Sequence, residues 1–342
     1  MRNFWKVKSH RIMLCAALIC LLAAGICLKL FQNINEQDVD QSAAHRWKSG
    51  KQEFAQISVF LSPQENWTEA DRKTLLGQIR TAFQENSITN ESEQGGDDRL
   101  LLDCYSCETK MTLVHGKSTA EAVVTATGGD FFYFHPQLWL SGYAYSKDDI
   151  MQDRIVLDKE LAWNLFGSSN VEGMSLKIND KTYYVAGTVD RRKTDADIAA
   201  YGENNRAWIS YSTLVSEEEK PPITCYEIVM PNPVNGWAKE ILTQSLAPEQ
   251  KEITLLENSN RAEFLQVFQD LGKFAKRTMI TKAVKYPYWE NASRIRDIYR
   301  EIYLFLAVLF VIYPCGLCIA CIVRIYRFLC RVVLPQLKER FS

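Results

Sequence analysis

A chain of 342 residues, 47% hydrophobic and 24% charged, is long enough to build a sizeable folded core and still leave apolar segments for a membrane. Its formal net charge of −1 conceals three zones. Arg2, Lys6, Lys8 and Arg11 open the chain with no acid among them, Arg324, Arg327, Arg331, Lys338 and Arg340 close it against Glu339 alone, and the stretch between holds 31 bases and 40 acids. An acidic middle with no basic face interleaved with aromatics excludes a nucleic-acid partner.

The segment Ile12 to Leu28 runs 17 residues without a charge, and Lys29 can snorkel at its end. That length is at the short end for a membrane-spanning helix, expected over 12–30, with a cleaved signal peptide as the competing reading. The bases of residues 1–11 place that end in the cytoplasm by the positive-inside rule. Residues 31–50 read as a polar linker.

From there the pattern is that of a folded domain. Ala55 to Leu61 reads as a strand with Ile57, Val59 and Leu61 on one face, and Ser62-Pro63 ends it. Thr68, with Asp71 three residues on, predicts an N-cap for a helix through Phe83, whose stripe is Leu75, Leu76, Ile79, Ala82 and Phe83. A polar loop spans Asn86 to Asp98. Strands are expected near Leu100 to Tyr105, Lys110 to His115 and Ala120 to Thr127, with Gly116-Lys117-Ser118 as a turn. That triplet is not a phosphate-binding loop, because Met111 stands where the loop needs glycine.

Residues 153–190 carry the most specific pattern. Arg154 to Leu157 reads as a strand, Asp158 as the N-cap of a short helix with Leu161, Ala162, Leu165 and Phe166 on its apolar face, and Gly167 as its left-handed terminator. Met174, Leu176 and Ile178 then alternate with Ser175, Lys177 and Asn179, Asn179-Asp180 supplies a turn, and Tyr183 to Val189 returns. Beyond it come a strand at Ala207 to Tyr211, a turn at Glu217 to Lys220, a strand at Ile223 to Met230, a helix near Val234 to Leu246 and a strand at Ile253 to Leu256, a second βαβ unit that mirrors the first. Asn260 and Glu263 open a further helix with Phe264, Val267, Phe268 and Leu271. From Asn291 a helical pattern runs without a breaker into a second apolar span, Ile302 to Val323, with Pro314 and Gly316 inside it. About 30 residues of helix would extend about 45 Å, beyond the bilayer core, so part of it must stand outside as a stalk. Tyr286, Tyr288 and Trp289 are expected to pack against the folded domain.

The order Ile155-Val156-Leu157, Glu160-Leu161-Ala162, Leu165-Phe166-Gly167, Gly173, Leu176-Lys177-Ile178 and Val185 to Val189 closely resembles the extracytoplasmic core domain of MacB-type ABC transporter permease subunits, and Gly128 to Phe132 with Leu138 to Gly142 resembles its lead-in. The resemblance implies an α+β extracytoplasmic domain over 51–258. In it, porter-like βαβ halves would hold an inserted sabre-like β-rich subdomain at about 128–216, between transmembrane helices at 12–30 and 302–323, with stalk helices over 259–301 and a basic cytoplasmic tail over 324–342. Asp158, Leu161, Ala162, Leu165, Phe166, Gly167, Gly173 and Gly187 are its structural motif. It further implies a bacterial cytoplasmic-membrane protein with both termini inside, partnered by an ABC-type ATP-binding subunit and further permease subunits in an oligomer. ATP chemistry would reside on that partner, since this chain has no P-loop.

One departure stands against this. Family members usually place three spans after the ectodomain, and this sequence shows one. A stand-alone membrane-anchored binding or sensor protein that reuses the fold is therefore the alternative. Arg324, Arg327 and Arg331 are expected to contact either the ATPase or the lipid of the inner leaflet.

Of ten cysteines, Cys15, Cys20, Cys27, Cys315, Cys318, Cys321 and Cys330 lie in or beside the apolar spans, where they act as small apolar residues. Cys104 and Cys107 are spaced to close a small disulfide, with Cys225 as an alternative partner. A zinc site would need both plus two more ligands, with His115 and His135 the nearest. His10, His45, His115 and His135 are scattered, and no nucleophile elbow, H-E-x-x-H or paired-carboxylate pattern is present, so no catalytic residue, cofactor or metal is assigned.

Overall fold

A computed structural model describes residues 2–48, 51–88, 100–214, 221–246, 252–270 and 284–333. The expected loop around Gly95-Gly96, the turn at Glu217 to Lys220, Leu271 and the tail from residue 334 fall outside them. Two compact units emerge, one of residues 1–37, 267–273 and 297–342, the other of residues 38–266 and 274–296.

The larger unit is mixed α+β, built on one ten-stranded sheet. Its first strand, β1 (Phe54–Leu61), leads through a helix (Glu69–Glu85) to β2 (Leu102–His115), and β9 (Cys225–Pro231) leads through a helix (Trp237–Ser245) to β10 (Ile253–Glu257). The side-by-side order is β10, β1, β9, β2, with every neighbouring pair antiparallel. Each βαβ unit thus has its two parallel strands separated by a strand of the other unit, which interlocks the two halves. The expected mirror symmetry takes this form. The expected capping box is also present, with Thr68 and Asp71 bonding each other's backbone at the start of the first helix.

Between β2 and β9 lie β3 (Ser118–Gly129), β4 (Leu138–Gly142), β5 (Arg154–Asp158), β6 (Ser175–Ile178), β7 (Lys181–Asp190) and β8 (Arg206–Ser210). The sheet continues from β2 through β3, β8, β5 and β7, and β6 pairs with both β7 and β2. Strands β2, β3, β8, β5, β7 and β6 therefore close a ring. Strand β3 pairs with β2 on one side and β8 on the other.

Two strand expectations merge into one. Residues 102–115 form a single 14-residue strand rather than separate strands at 100–105 and 110–115, since Ser106 to Thr109 contain no breaker and their backbone groups pair with β3 throughout. This strand serves both halves, its first part bonded to β9 and its last to β6. Within the polar linker expected over 31–50, residues 31–37 continue the helix Arg2–Gln37, and a 3₁₀ turn (Val39–Gln41) and a helix (Ala43–Trp47) follow, with Ala43 and Ala44 buried. Their small side chains pack on the sheet, which polarity averaged over the segment hides.

The sheet has two packed faces. On one, Ile57, Val59 and Leu61 of β1 and Tyr226, Ile228 and Met230 of β9 meet Leu75, Ile79 and Phe83 of the helix after β1, in a core that continues through the ring with Leu161, Ala162 and Leu165. On the other, Phe60, Cys104, Cys225 and Val229 meet Phe131, Phe134 and Trp289. Period-2 alternation along β1 and β9 sends neighbouring residues to opposite cores.

The smaller unit holds the two helices long and apolar enough to cross a membrane, over Arg11–Gln37 and within Tyr288–Arg331. The second helix runs Tyr288–Phe328 through Pro314, a length of about 60 Å at 1.5 Å per residue. Phe31, Val267 and Leu304 pack together there, and the Arg300 guanidinium donates to Asn35 Oδ1 (2.8 Å) and to Asp297 Oδ1 (2.6 Å).

Candidate functional site

The second face of the sheet is where this domain departs from an ordinary apolar core. The polar residues of β1 that point there, beside Phe60, are Gln56 and Ser58, both fully buried, and β9 contributes Glu227. A short helix (Phe131–Phe134) ends at His135, which is also fully buried. The 3₁₀ turn adds Asp40 and Gln41, and residues 284–296 add Glu290, Ser293 and Arg296.

These groups form two connected chains. In the first, the Ser58 hydroxyl donates to Glu227 Oε1 (2.6 Å), Glu227 Oε2 lies 2.5 Å from His135 Nε2, His135 Nδ1 lies 3.2 Å from Asp40 Oδ1, and Arg192 pairs with Asp40. In the second, Arg261 donates to both oxygens of Glu290 (2.8 and 3.1 Å), Gln41 Nε2 reaches Glu290 and Ser293, and the Ser293 hydroxyl donates to Asp38 (2.6 Å). Arg296 then joins Asp38 (3.1 Å) to Asp197. Gln56 holds the turn from the sheet side, accepting from Ala43 N (2.7 Å) and donating to the Asp40 carbonyl (2.8 Å).

Electrostatics fixes the protonation of the first chain. Burial favours the neutral ring of His135, yet Glu227 and Asp40 outweigh it and raise its pKa to about 9. Burial likewise opposes ionisation of Asp40, but Arg192 and His135 overcome it and hold the carboxyl well below the usual carboxylate range. Trp289 and Phe131, with ring centroids 4.3 and 4.6 Å from that of His135, hold the imidazole in place. Buried charges left unpaired would be prohibitive, so this face is stable only with both flanking segments docked.

The family-like motif read from the sequence occupies a different region, in structural roles. Asp158 is fully buried and caps its helix (Lys159–Phe166) by accepting from Leu161 N at 2.7 Å. Its second oxygen accepts from Arg191 (2.8 Å), Tyr201 (3.1 Å) and Arg206 N (2.9 Å), tying β5 to β8. Leu161, Ala162 and Leu165 enter the core, Phe166 packs beside it, and Gly167 (φ +71°) terminates the helix. Gly173 also has positive φ (+77°), and Gly187 lies where a side chain would strike the Ser141 carbonyl and the Trp139 ring.

The cysteine expectation is corrected. All ten cysteines are free, and Cys104 and Cys107, three apart on one strand, enter opposite cores where no disulfide geometry joins them. Cys225 shares the face of Cys104 but sits across from Ser106. His115 bonds the Ser175 carbonyl and stacks on Phe166 at the far end of β2. Ligand atoms of Cys104, His135 and Glu227 lie within 4.8 Å of one another, the one such buried trio among the described residues. Arg324, Arg327 and Arg331 are exposed near the end of the second apolar helix. The polar face went unread from sequence because its members are scattered from Asp38 to Arg296. The one available signal was the polar alternation Gln56-x-Ser58 inside a strand otherwise apolar.

The model of the MacB-like periplasmic core domain family matches residues 103–237. That match covers less than half of the chain. The matched stretch runs from β2 to the start of the helix after β9, and β1 and β10 belong to the same sheet. Similar solved structures include the periplasmic region of MacB from Actinobacillus actinomycetemcomitans, at 16% identity over 66% of this chain and 94% of that one, TM-score 0.43. The extracellular domain of the noncanonic ABC-type transporter YknZ from Gram-positive bacteria matches at 10% identity over 59% and 99%, TM-score 0.39. No curated protein matches the chain. A stretch similar to the MacB-like periplasmic core domain, flanked by two helices long and apolar enough to cross a membrane, is the arrangement of a membrane protein with an extracytoplasmic domain.

Proposed function

We propose that this chain is a non-catalytic membrane subunit of a MacB-type ABC transport system, with both termini in the cytoplasm, that passes the motion of a partner ATPase to its extracytoplasmic domain. The observation that carries the reading is the buried polar face. Residues 38–47, directly after the first apolar helix, are bonded to β1 through Gln56 and to β9 through the chain Asp40–His135–Glu227, and residues 284–296, at the start of the second, are bonded to residues 38–41 through Glu290, Ser293 and Arg296. A displacement of either segment must carry the sheet with it or leave charges buried and unpaired, which costs several kcal/mol. Core elements so held have discrete arrangements rather than a soft continuum, as a mechanical relay requires. The ring of strands around β6 and β7 would correspond to the sabre-like part and the interlocked β10, β1, β9, β2 order to the porter-like part. Arg324, Arg327 and Arg331 are the groups offered to the ATPase at the cytoplasmic side.

The test is purification of the tagged full chain from its native membrane in mild detergent, with mass spectrometry of what accompanies it. Recovery of an ATP-binding subunit, lost when Arg324, Arg327 and Arg331 are changed to Ala, supports the reading. Recovery of the chain alone in several detergents at matched expression overturns it in favour of an anchored binding or sensor protein.

A further inference from the structure

The geometry points to a buried zinc site in the extracytoplasmic domain, formed by Cys104 Sγ, His135 Nε2 and Glu227 Oε2. These three residues are fully buried, and their ligand atoms lie within 4.8 Å of one another. Their backbones are fixed: Cys104 and Glu227 are direct partners across the β2–β9 ladder, and His135 follows the short helix that β3 leads into. Ligands bonded to a tetrahedral Zn²⁺ at about 2.0–2.3 Å stand roughly 3.3–3.8 Å apart, so His135 Nε2 and Glu227 Oε2, which now lie 2.5 Å from each other, must separate by about 1 Å to admit the ion.

The surroundings are those a metal site needs. His135 Nδ1 is held by Asp40 Oδ1 at 3.2 Å, which orients Nε2 toward the trio, and Glu227 Oε1 is held by the Ser58 hydroxyl at 2.6 Å, which turns Oε2 inward. A carboxylate behind a ligating imidazole and a hydrogen bond behind a ligating carboxylate are the usual supports of a zinc centre. The Asp40 carboxylate is in turn held by Arg192, so it stays in place when His135 is neutral. One thiolate, one imidazole and one carboxylate in a dry pocket suit Zn²⁺ and not Mg²⁺ or Ca²⁺, which take oxygen ligands.

Binding balances simply. The ion takes the place of the proton between His135 and Glu227 and of the Cys104 thiol proton, so two protons leave and Zn²⁺ enters, with no redox step. The site is structural: it ties β2, β9 and the His135 turn together beneath the residues that follow the first apolar helix.

The test uses the full chain in detergent, stripped with a chelator, then dialysed against Zn²⁺ or Co²⁺ and freed of excess ion. Wild-type protein should retain one zinc per chain, and its cobalt form should show thiolate-to-metal charge-transfer absorption. Cys104→Ser should lower retained zinc by at least about tenfold and abolish that absorption, whereas Cys107→Ser, in the opposite core, should leave both unchanged. A second measurement needs no variant: X-ray absorption at the zinc edge of wild-type protein should show sulfur and nitrogen in the first shell. Zinc retention in wild type no higher than in Cys104→Ser, or a first shell of oxygen alone, overturns the site.

Discussion

The Arg296 guanidinium donates to Asp38 Oδ1 across 3.1 Å, with both side chains buried and 258 positions apart in the chain. It joins the residue after the first apolar helix to the ninth residue of the helix Tyr288–Phe328, and its other arm holds Asp197. Breaking it leaves two buried carboxylates without their shared cation. Arg296→Met is therefore expected to cost about 3–5 kcal/mol, read as a lower thermal midpoint of the full chain in detergent. Lys48→Ala, which removes an ion pair with the exposed Glu53, should change stability by no more than about 0.5 kcal/mol. Equal effects from the two would show that the buried pair does not hold the segments.

Asp158 concentrates an N-cap, an ion pair and a bond to the β8 backbone in one carboxylate. Replacing it with Ala should cost about 3–5 kcal/mol, because Arg191 and two backbone amides lose their acceptor in the core. Asp158→Asn keeps one acceptor oxygen and should cost visibly less in the urea midpoint. Identical losses would assign the whole effect to charge.

Much of this was legible in the sequence, for a physical reason. Asp158, Leu161, Ala162, Leu165 and Gly167 act within one helix, and Asn179-Asp180 within one turn, where both residues adopt positive φ (+45° and +64°). Local chemistry of that kind is written in spacing. The closure of the strand ring by β6 and the placing of Cys104 and Cys107 in opposite cores depend on pairings between distant strands. The polar face depends on them too: nothing adjacent to His135 in sequence announces Glu227 or Asp40. Residues 31–50 misled for the opposite reason, since polar Asp38, Asp40 and Gln41 are buried there by partners that come 95 to 258 positions later.

Two glycines of the motif separate conformational need from space. At Gly167 a side chain meets open space but the backbone sits at φ +71°, so Gly167→Ala should cost about 1 kcal/mol. At Gly187 an added Cβ would overlap the Ser141 carbonyl on the neighbouring strand β4, which can yield only by shifting the sheet edge. Gly187→Ala should cost about 1–3 kcal/mol and weaken β4 selectively, visible as faster hydrogen exchange over residues 138–142. Uniform exchange across the sheet would contradict it.

Cys107 offers a pH-dependent readout. Burial, with Glu108 adding to it, raises its thiol from the ordinary 9.0 to about 12 in the folded chain. The unfolded chain therefore loses this proton first as pH rises past 9, and the folded state loses stability between about 9 and 12. Below that window the neutral thiol should resist maleimide in the folded protein and react when the chain is unfolded in urea, as followed by mass spectrometry. Rapid labelling of folded Cys107 at pH 8 would place it outside the core.

The relay itself is tested most directly by hydrogen exchange on the full chain purified from its native membrane with its ATP-binding partner and reconstituted in lipid discs, compared with and without a non-hydrolysed ATP analogue. The account predicts that nucleotide changes exchange in residues 38–47 and 284–296 and in the strands they hold, β1 and β9, and that Arg296→Met confines the change to the membrane helices. Exchange in those segments that is indifferent to nucleotide, in a complex shown to bind it, would contradict the account.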